Sequence, residues 1–428
     1  MPSALCSSCW RPWWSGPSPD GLHSRSLVLT SNTLPLSLAM IERLVAFDTT
    51  SHRSNLELIN DVAGWLEARG AAVTLLYNDS GDKANLIAEF GPHDAPALLV
   101  SGHTDVVPAS PADWRVTAPF TPKRHAERLY GRGTADMKGF IGVALTKLAA
   151  WQAEHSRHSV LLALSFDEEV GCLGAPLMLP FLEAHKERLR GIIVGEPTAM
   201  RIANAHKGHV GMRATIEGVG GHSGYPGRGV NAIDVGAGVV AQIRQLAREK
   251  RLMSLTDQRF DPPYSTVHVG LIEGGSALNQ IPEHCRIDFE MRPLPGQPAM
   301  EILERLRKDF PCGLDRDLIG LGRRARLTLE CRGQYPPLDE RRQGYLSWIA
   351  ELAECSVEPL ALGFGCEAGL FAQLGVPTVI CGPGSIHQAH QPDEFIAFDQ
   401  ITKCEGFFDR LLSQLSFPLP DFHRLEAP

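Results

Sequence analysis

Apolar residues recur at helical spacing through LAMIERLVAFDTTS, which follows Ser37, and again over 56–69, where Gly70 closes the pattern. Shorter apolar runs come next: AVTLLY, NLIAEF and ALLVSGHTD, each of strand length. A helical pattern fills 137–154. SVLLALSFDEE and GIIVGEP then repeat one design, an apolar strand with carboxylates at its far end. Strands alternating with helices predict an α/β unit with a largely parallel central sheet flanked by helices. Ligands of such sheets gather at the C-terminal strand ends.

Between 205 and 335 the pattern changes. HVGMRATIEGV, a helix over 233–249, STVHVGLIEGG, HCRIDFEMRP, a helix over 300–310 and ARLTLEC read as β-α-β-β-α-β. This is the ferredoxin-like order of a small antiparallel sheet with two helices on one face, an α+β unit. A helix over 345–353, the strand PTVICGPG and a helix over 399–415 restore the first pattern. The expected organisation is a main domain of 38–204 and 336–428 with 205–335 inserted into it.

Residues 1–37 differ from the rest. They hold Cys6, Cys9, Trp10, Trp13 and Trp14 among many Ser and Pro, with almost no acid. Cys6 and Cys9 have no second pair nearby to complete a zinc knuckle. Arg11 and Arg25 give a faint likeness to a transit peptide, but amphipathicity is missing. A poorly ordered tail is the expectation.

A chain of 428 residues exceeds one hydrophobic core. With 41 basic and 49 acidic residues, its formal charge of −8 argues against a nucleic-acid or anionic-membrane surface. No apolar run is long enough to span a bilayer. The ten cysteines are scattered and mostly set in apolar segments, as expected of reduced thiols in a cytoplasmic protein.

Candidate chemistry lies at the strand ends. His103 and Asp105 stand in SGHTDVVP, Asp136 in GRGTADMKG, Glu168 and Glu169 in SFDEEVGCLGA, Glu196 in IVGEPT and His390 in HQAHQPDEF. Taken singly, an acidic run is usually a solvated turn and a buried histidine usually structural. Together, two imidazoles and three carboxylates can hold two zinc-like ions with one carboxylate shared, leaving another as a base. Alternation along the strand puts His103 and Asp105 on one side, so Asp105 is expected to hold the second ring nitrogen of His103. The inventory describes a dinuclear metallohydrolase.

SGHTDVVP, GRGTADMKG, DEEVGCLGA, GEPT, GHSGYP and AHQPDEF together resemble the dinuclear zinc aminoacylase and carboxypeptidase family, over essentially all of 38–417. The resemblance implies two Zn²⁺ per subunit, with Co²⁺ a possible substitute. His103 and Glu196 would hold one ion, Glu169 and His390 the other, and Asp136 would bridge. It implies that Asp105 orients His103 and that Glu168 is the general acid and base for a metal-bridging hydroxide attacking an amide carbonyl. The inserted unit becomes a lid and dimerisation domain, whose His222 in GGHSGYP steadies the oxyanion from the other subunit of a homodimer. Arg292, Asn279, Gly384 and Ser385 would grip the substrate α-carboxylate.

Within the family, GPGSIHQAHQPDEF and FEMRPLPG are most similar to the members that release acetate from N-acetylornithine. Those members carry Thr-Glu where this chain has Cys366-Glu367, and Glu367 is expected to face a cationic substrate side chain. The family's Asp before Pro-Phe is Ala118 here. The small-molecule substrate is thus an N-acyl amino acid; desuccinylase or dipeptidase activity on the same scaffold is the alternative. A non-catalytic binder of amino-acid conjugates is disfavoured because every ligand position holds a competent residue. A serine or cysteine nucleophile is disfavoured too: GHSG lacks a strand–turn–helix setting, and Cys172 reads as packing.

Overall fold

The computed structural model describes residues 34–253, 256–297, 304–305, 308 and 325–422. The apolar runs form a nine-stranded sheet in the order Ala72–Tyr77, Ala84–Phe90, Ser159–Ser165, Ala97–His103, Leu189–Val194, Thr378–Ile380, Ala203–His206 and Leu338–Asp339, with Leu360–Leu362 also paired to Ala203–His206. The four strands from Ser159–Ser165 to Thr378–Ile380 are mutually parallel, and antiparallel pairs flank them. Ala97–His103 and Ser159–Ser165 are buried along their whole length, which is why they read as unbroken apolar runs.

Both faces of this sheet are covered. Leu98 and Val100 point into one core with the helices Leu38–Val45, Leu56–Glu67, Gly139–Ala150, Gln343–Leu352 and Phe398–Gln414. Ala97 and Leu99 point into the other, against Leu182 and Phe371. Tyr345 ties helix to sheet by donating its buried hydroxyl to the Ile192 carbonyl at 2.9 Å.

A four-stranded sheet follows, with Thr266–Gly274, His284–Arg292, His209–Glu217 and Arg326–Tyr335 in that spatial order and every pairing antiparallel. In chain order this is second, third, first, fourth, the ferredoxin-like arrangement. The helix Ala232–Met253 covers one face through Val235, Val239, Ile243 and Leu246. The helix expected at 300–310 lies outside the described residues apart from Glu304, Arg305 and Lys308. The chain passes between the two sheets at residues 207–208 and 336–337. Among the described residues no helix is long and apolar enough to cross a membrane.

Glycine permits the closest helix contact. A Cβ on Gly142 would lie 2.5 Å from Ile41 Cγ1 and 3.0 Å from its Cα, so the helices Leu38–Val45 and Gly139–Ala150 touch backbone to backbone. Gly142→Ala is expected to lower stability by about 1–3 kcal/mol. In contrast, Gly64 lies exposed in the helix Leu56–Glu67 with nothing near its Cβ position. Gly64→Ala should therefore raise stability by up to about 1 kcal/mol. Denaturant midpoints measure both, and shifts of the same sign would contradict this packing.

Candidate metal centre

Three parallel strands end at one place. His103 is the last residue of its strand, Glu168 and Glu169 follow Ser159–Ser165, and Glu196 follows Leu189–Val194. Asp136 and His390 arrive on turns. The helix expected from 137 begins at Gly139 instead, because Asp136 and Met137 take non-helical φ/ψ. Gly133 makes that turn possible: its φ is +83°, and a Cβ there would meet Val106 Cγ1 at 2.7 Å.

The geometry centres on Asp136. Its Oδ1 lies 3.0 Å from His103 Nε2 and its Oδ2 3.3 Å from His390 Nε2. Glu196 Oε1 is 3.9 Å from His103 Nε2, and Glu169 Oε1 is 3.0 Å from His390 Nε2. One ligand atom each from His103, Glu168 and Glu196 lie within 4.8 Å of one another, as do those of His103, Asp136 and Glu169. His103 Nδ1 is 2.9 Å from the Asp105 carbonyl, so Nδ1 donates there and Nε2 is the nitrogen turned toward Asp136 and Glu196.

Asp105 does more, and different, work than expected. Its Oδ1 is 3.6 Å from His103 Nδ1, farther than its own carbonyl. The nearer partners of the carboxylate are the backbone amides of Glu168 at 3.0 Å and Glu169 at 3.2 Å, with Ser51 Oγ at 2.7 Å. One carboxylate thus pins the turn that carries two acidic side chains.

Electrostatics point the same way. Burial pushes Glu168 well above the usual carboxyl range, helped by the charge of Glu196. Burial likewise raises Glu196 and Glu169, each with a further push from Asp136. Burial opposes ionisation of Asp136, yet hydrogen bonds to His103 and His390 outweigh it and hold the carboxyl low. Hydrogen bonds to Asp136 and Glu169 lift His390 to about 10. Four carboxylates crowd two imidazoles, and Glu196 Oε1 is buried without any donor. A cluster with surplus buried negative charge and an orphaned anionic oxygen fits divalent cations.

The cluster floors a cleft of about 520 Å³ whose walls include His209, Glu290, Arg292, Tyr335, Phe364 and Ile386. Arg292 is on this wall, with Nε and Nη2 bonded to Glu290 at 3.0 and 3.2 Å. Gly384 and Ser385 sit just behind Ile386, their amides bonded to Gln400 and Gln388. His222 and Asn279 are exposed and line a separate groove of about 570 Å³ with Glu283 and His284. They are not brought to the metal cleft of their own chain. Glu367 requires a correction. It is 1% exposed, bonded to Ser101 Oγ at 3.1 Å and absent from the cleft wall, so it cannot face a substrate side chain. Cys172 is buried, its thiol 3.5 Å from Glu168 Oε1, and burial raises its pKa well above the usual value, which suits packing and a weak hydrogen bond. Sequence reasoning missed His209, Glu290 and Tyr335; Glu290 lies in FEMRPLPG, two residues before Arg292, a signal that could have found it, whereas His209 and Tyr335 lie on strands outside any motif.

Residues 99–414 match the model of peptidase family M20/M25/M40. The chain belongs to that family. Its members are metal-dependent hydrolases, and this chain is an enzyme of that kind, acting on linear amides. It is 37% identical over 391 residues to a Myxococcus xanthus protein named acetylornithine deacetylase, covering 90% of this chain and 98% of the relative. A Klebsiella pneumoniae protein of the same name is 34% identical, covering 85% and 94%. Among solved structures, an M20 family metallo-carboxypeptidase from Sulfolobus solfataricus superposes with a TM-score of 0.68 at 18% identity, covering 89% of this chain and 99% of that one.

Asp105→Asn keeps the shape but removes one acceptor, leaving one of the two turn amides unpaired. Losses of about 10–100-fold in amide hydrolysis are expected, as for other residues that hold metal ligands in place. Steady-state kinetics with metal in excess measures this, and wild-type turnover would contradict it.

Proposed function

We propose that the chain hydrolyses N-acetyl-L-ornithine to L-ornithine and acetate, using two zinc ions in the Asp136 cluster. One observation carries the dinuclear part: the two oxygens of Asp136 face His103 and His390 separately, at 3.0 and 3.3 Å. His103 and Glu196 would hold one ion, Glu169 and His390 the other, with Asp136 shared. The substrate reading is supported by the acetylornithine deacetylases at 37% and 34% identity. Two such ions polarise a carbonyl and bring the pKa of water near neutrality.

The protein's own part follows from the cleft. Glu168 reaches it from a pinned turn, with Oε1 3.5 Å from the Cys172 thiol, and one of its oxygens would take a proton from the attacking water. The same oxygen then returns the proton to the leaving amine. Burial and the charge of Glu196 raise the pKa of Glu168, the direction that favours a carboxyl able to take a proton and give it back. Arg292 on the wall receives the substrate α-carboxylate. Glu290 accepts from Nε and Nη2, and Tyr335 is a further partner of the guanidinium. His222 and Asn279, exposed in their own groove, serve the cleft of a second copy in a homodimer.

Chelation should abolish acetylornithine hydrolysis, and Zn²⁺ or Co²⁺ should restore it. Glu168→Gln should retain both ions by elemental analysis while turnover falls by about 10²–10⁴-fold. Loss of an ion from that variant would exchange the roles of Glu168 and Glu169. A panel of acetylornithine, succinyl-diaminopimelate and dipeptides tests the substrate; preference for either of the latter two would remove the acetylornithine reading.

A further inference from the structure

Glu394 is 1% exposed and carries four hydrogen bonds. Its Oε2 accepts from Arg132 Nη1 at 2.7 Å and from the Gly133 amide at 3.0 Å. Its Oε1 accepts from the amides of Ala135 at 2.9 Å and Asp136 at 3.2 Å. All four partners are donors, so both oxygens act as acceptors. The backbone brings it there. The strand Phe395–Ala397 pairs with Arg128–Tyr130, and the Gly131 amide donates to the Glu394 carbonyl at 2.9 Å.

The turn needs such an acceptor. The Ala135 and Asp136 amides precede the helix Gly139–Ala150, so no earlier helical turn supplies carbonyls for them. Buried amides left without an acceptor are costly, and a turn that had to satisfy them otherwise would move. A shift there moves the one carboxylate that faces both imidazoles. Glu394 also follows His390 by four residues, so one segment supplies an imidazole and holds the turn that presents the shared carboxylate.

We infer that Glu394 is a positioning residue for metal binding, fixing Asp136 between His103 and His390 by capturing the turn amides from below. This rests on the cluster holding metal. Arg132 matches the buried charge of Glu394 and is itself held over Trp114, 5.5 Å from the ring centre.

A matched control exists in the same molecule. Glu340 is 5% exposed and also accepts from one arginine and three amides: Arg342 Nη1, and the backbone of Arg341, Arg342 and Thr378. None of its partners is a candidate ligand. In Glu394→Gln an amide NH₂ would replace one acceptor and face donors. The test is Zn²⁺ affinity of the full-length metal-free protein, by competition with a chromophoric chelator, alongside its thermal midpoint. Glu394→Gln should weaken Zn²⁺ binding by about 10–100-fold, the usual effect of removing a group that orients ligands. Glu340→Gln should lower the thermal midpoint yet keep wild-type Zn²⁺ affinity. If Glu394→Gln does not fold, Glu394→Asp, too short to reach both pairs of donors, is read on the same scale. Wild-type affinity in the Glu394 variant, or an equal loss in Glu340→Gln, overturns the inference. A wild-type protein that binds no Zn²⁺ removes the metal reading itself, and this one with it.

Discussion

The carboxylate of Asp136, shared between two imidazoles from distant parts of the chain, is the contact on which the rest of the site depends. His103 and His390 lie 287 residues apart in the chain (390 − 103), and each meets a different oxygen of the same group. Keeping that geometry needs rigidity on three sides. The buried parallel strands fix His103 and Glu196, Asp105 pins the turn of Glu168 and Glu169, and Glu394 captures the turn of Asp136. Two of these three supports are buried carboxylates accepting backbone amides. This is a stiff arrangement, because the alternative is an unpaired amide in a dry interior.

The same crowding explains why the site wants cations. Carboxylates forced together out of water raise one another's pKa, and Glu168, Glu169 and Glu196 all show that effect. Divalent ions bound there would relieve the repulsion among these carboxylates. The cleft above is walled by residues of the second sheet, so the two sheets jointly define what can reach the ions.

Much of this was legible in the sequence. The unbroken apolar runs around Leu99, Leu162 and Ile193 announced doubly covered parallel strands, and the acids at their ends announced the site. What could not be read were contacts made between turns. Nothing in GRGTADMKG shows that Gly133 bends the chain before its helix, or that Glu394 supplies the acceptor; both depend on a strand pairing across more than 250 residues. Glu367 was misplaced for a related reason. It sits at the start of the short helix Ala368–Ala372, and burial there turns it under the cleft wall toward Ser101. Strand alternation places the Asp105 carboxylate beside His103, 3.6 Å from Nδ1, but does not register the loop amides that it also accepts.

The central claim is that Asp136 is shared by two ions, and anomalous X-ray diffraction from zinc-loaded crystals at the zinc edge tests it most directly. Two peaks are predicted per chain, one beside His103 and Glu196 and the other beside Glu169 and His390, with Asp136 between them. A single peak, or a pair that Asp136 does not touch, would contradict the account.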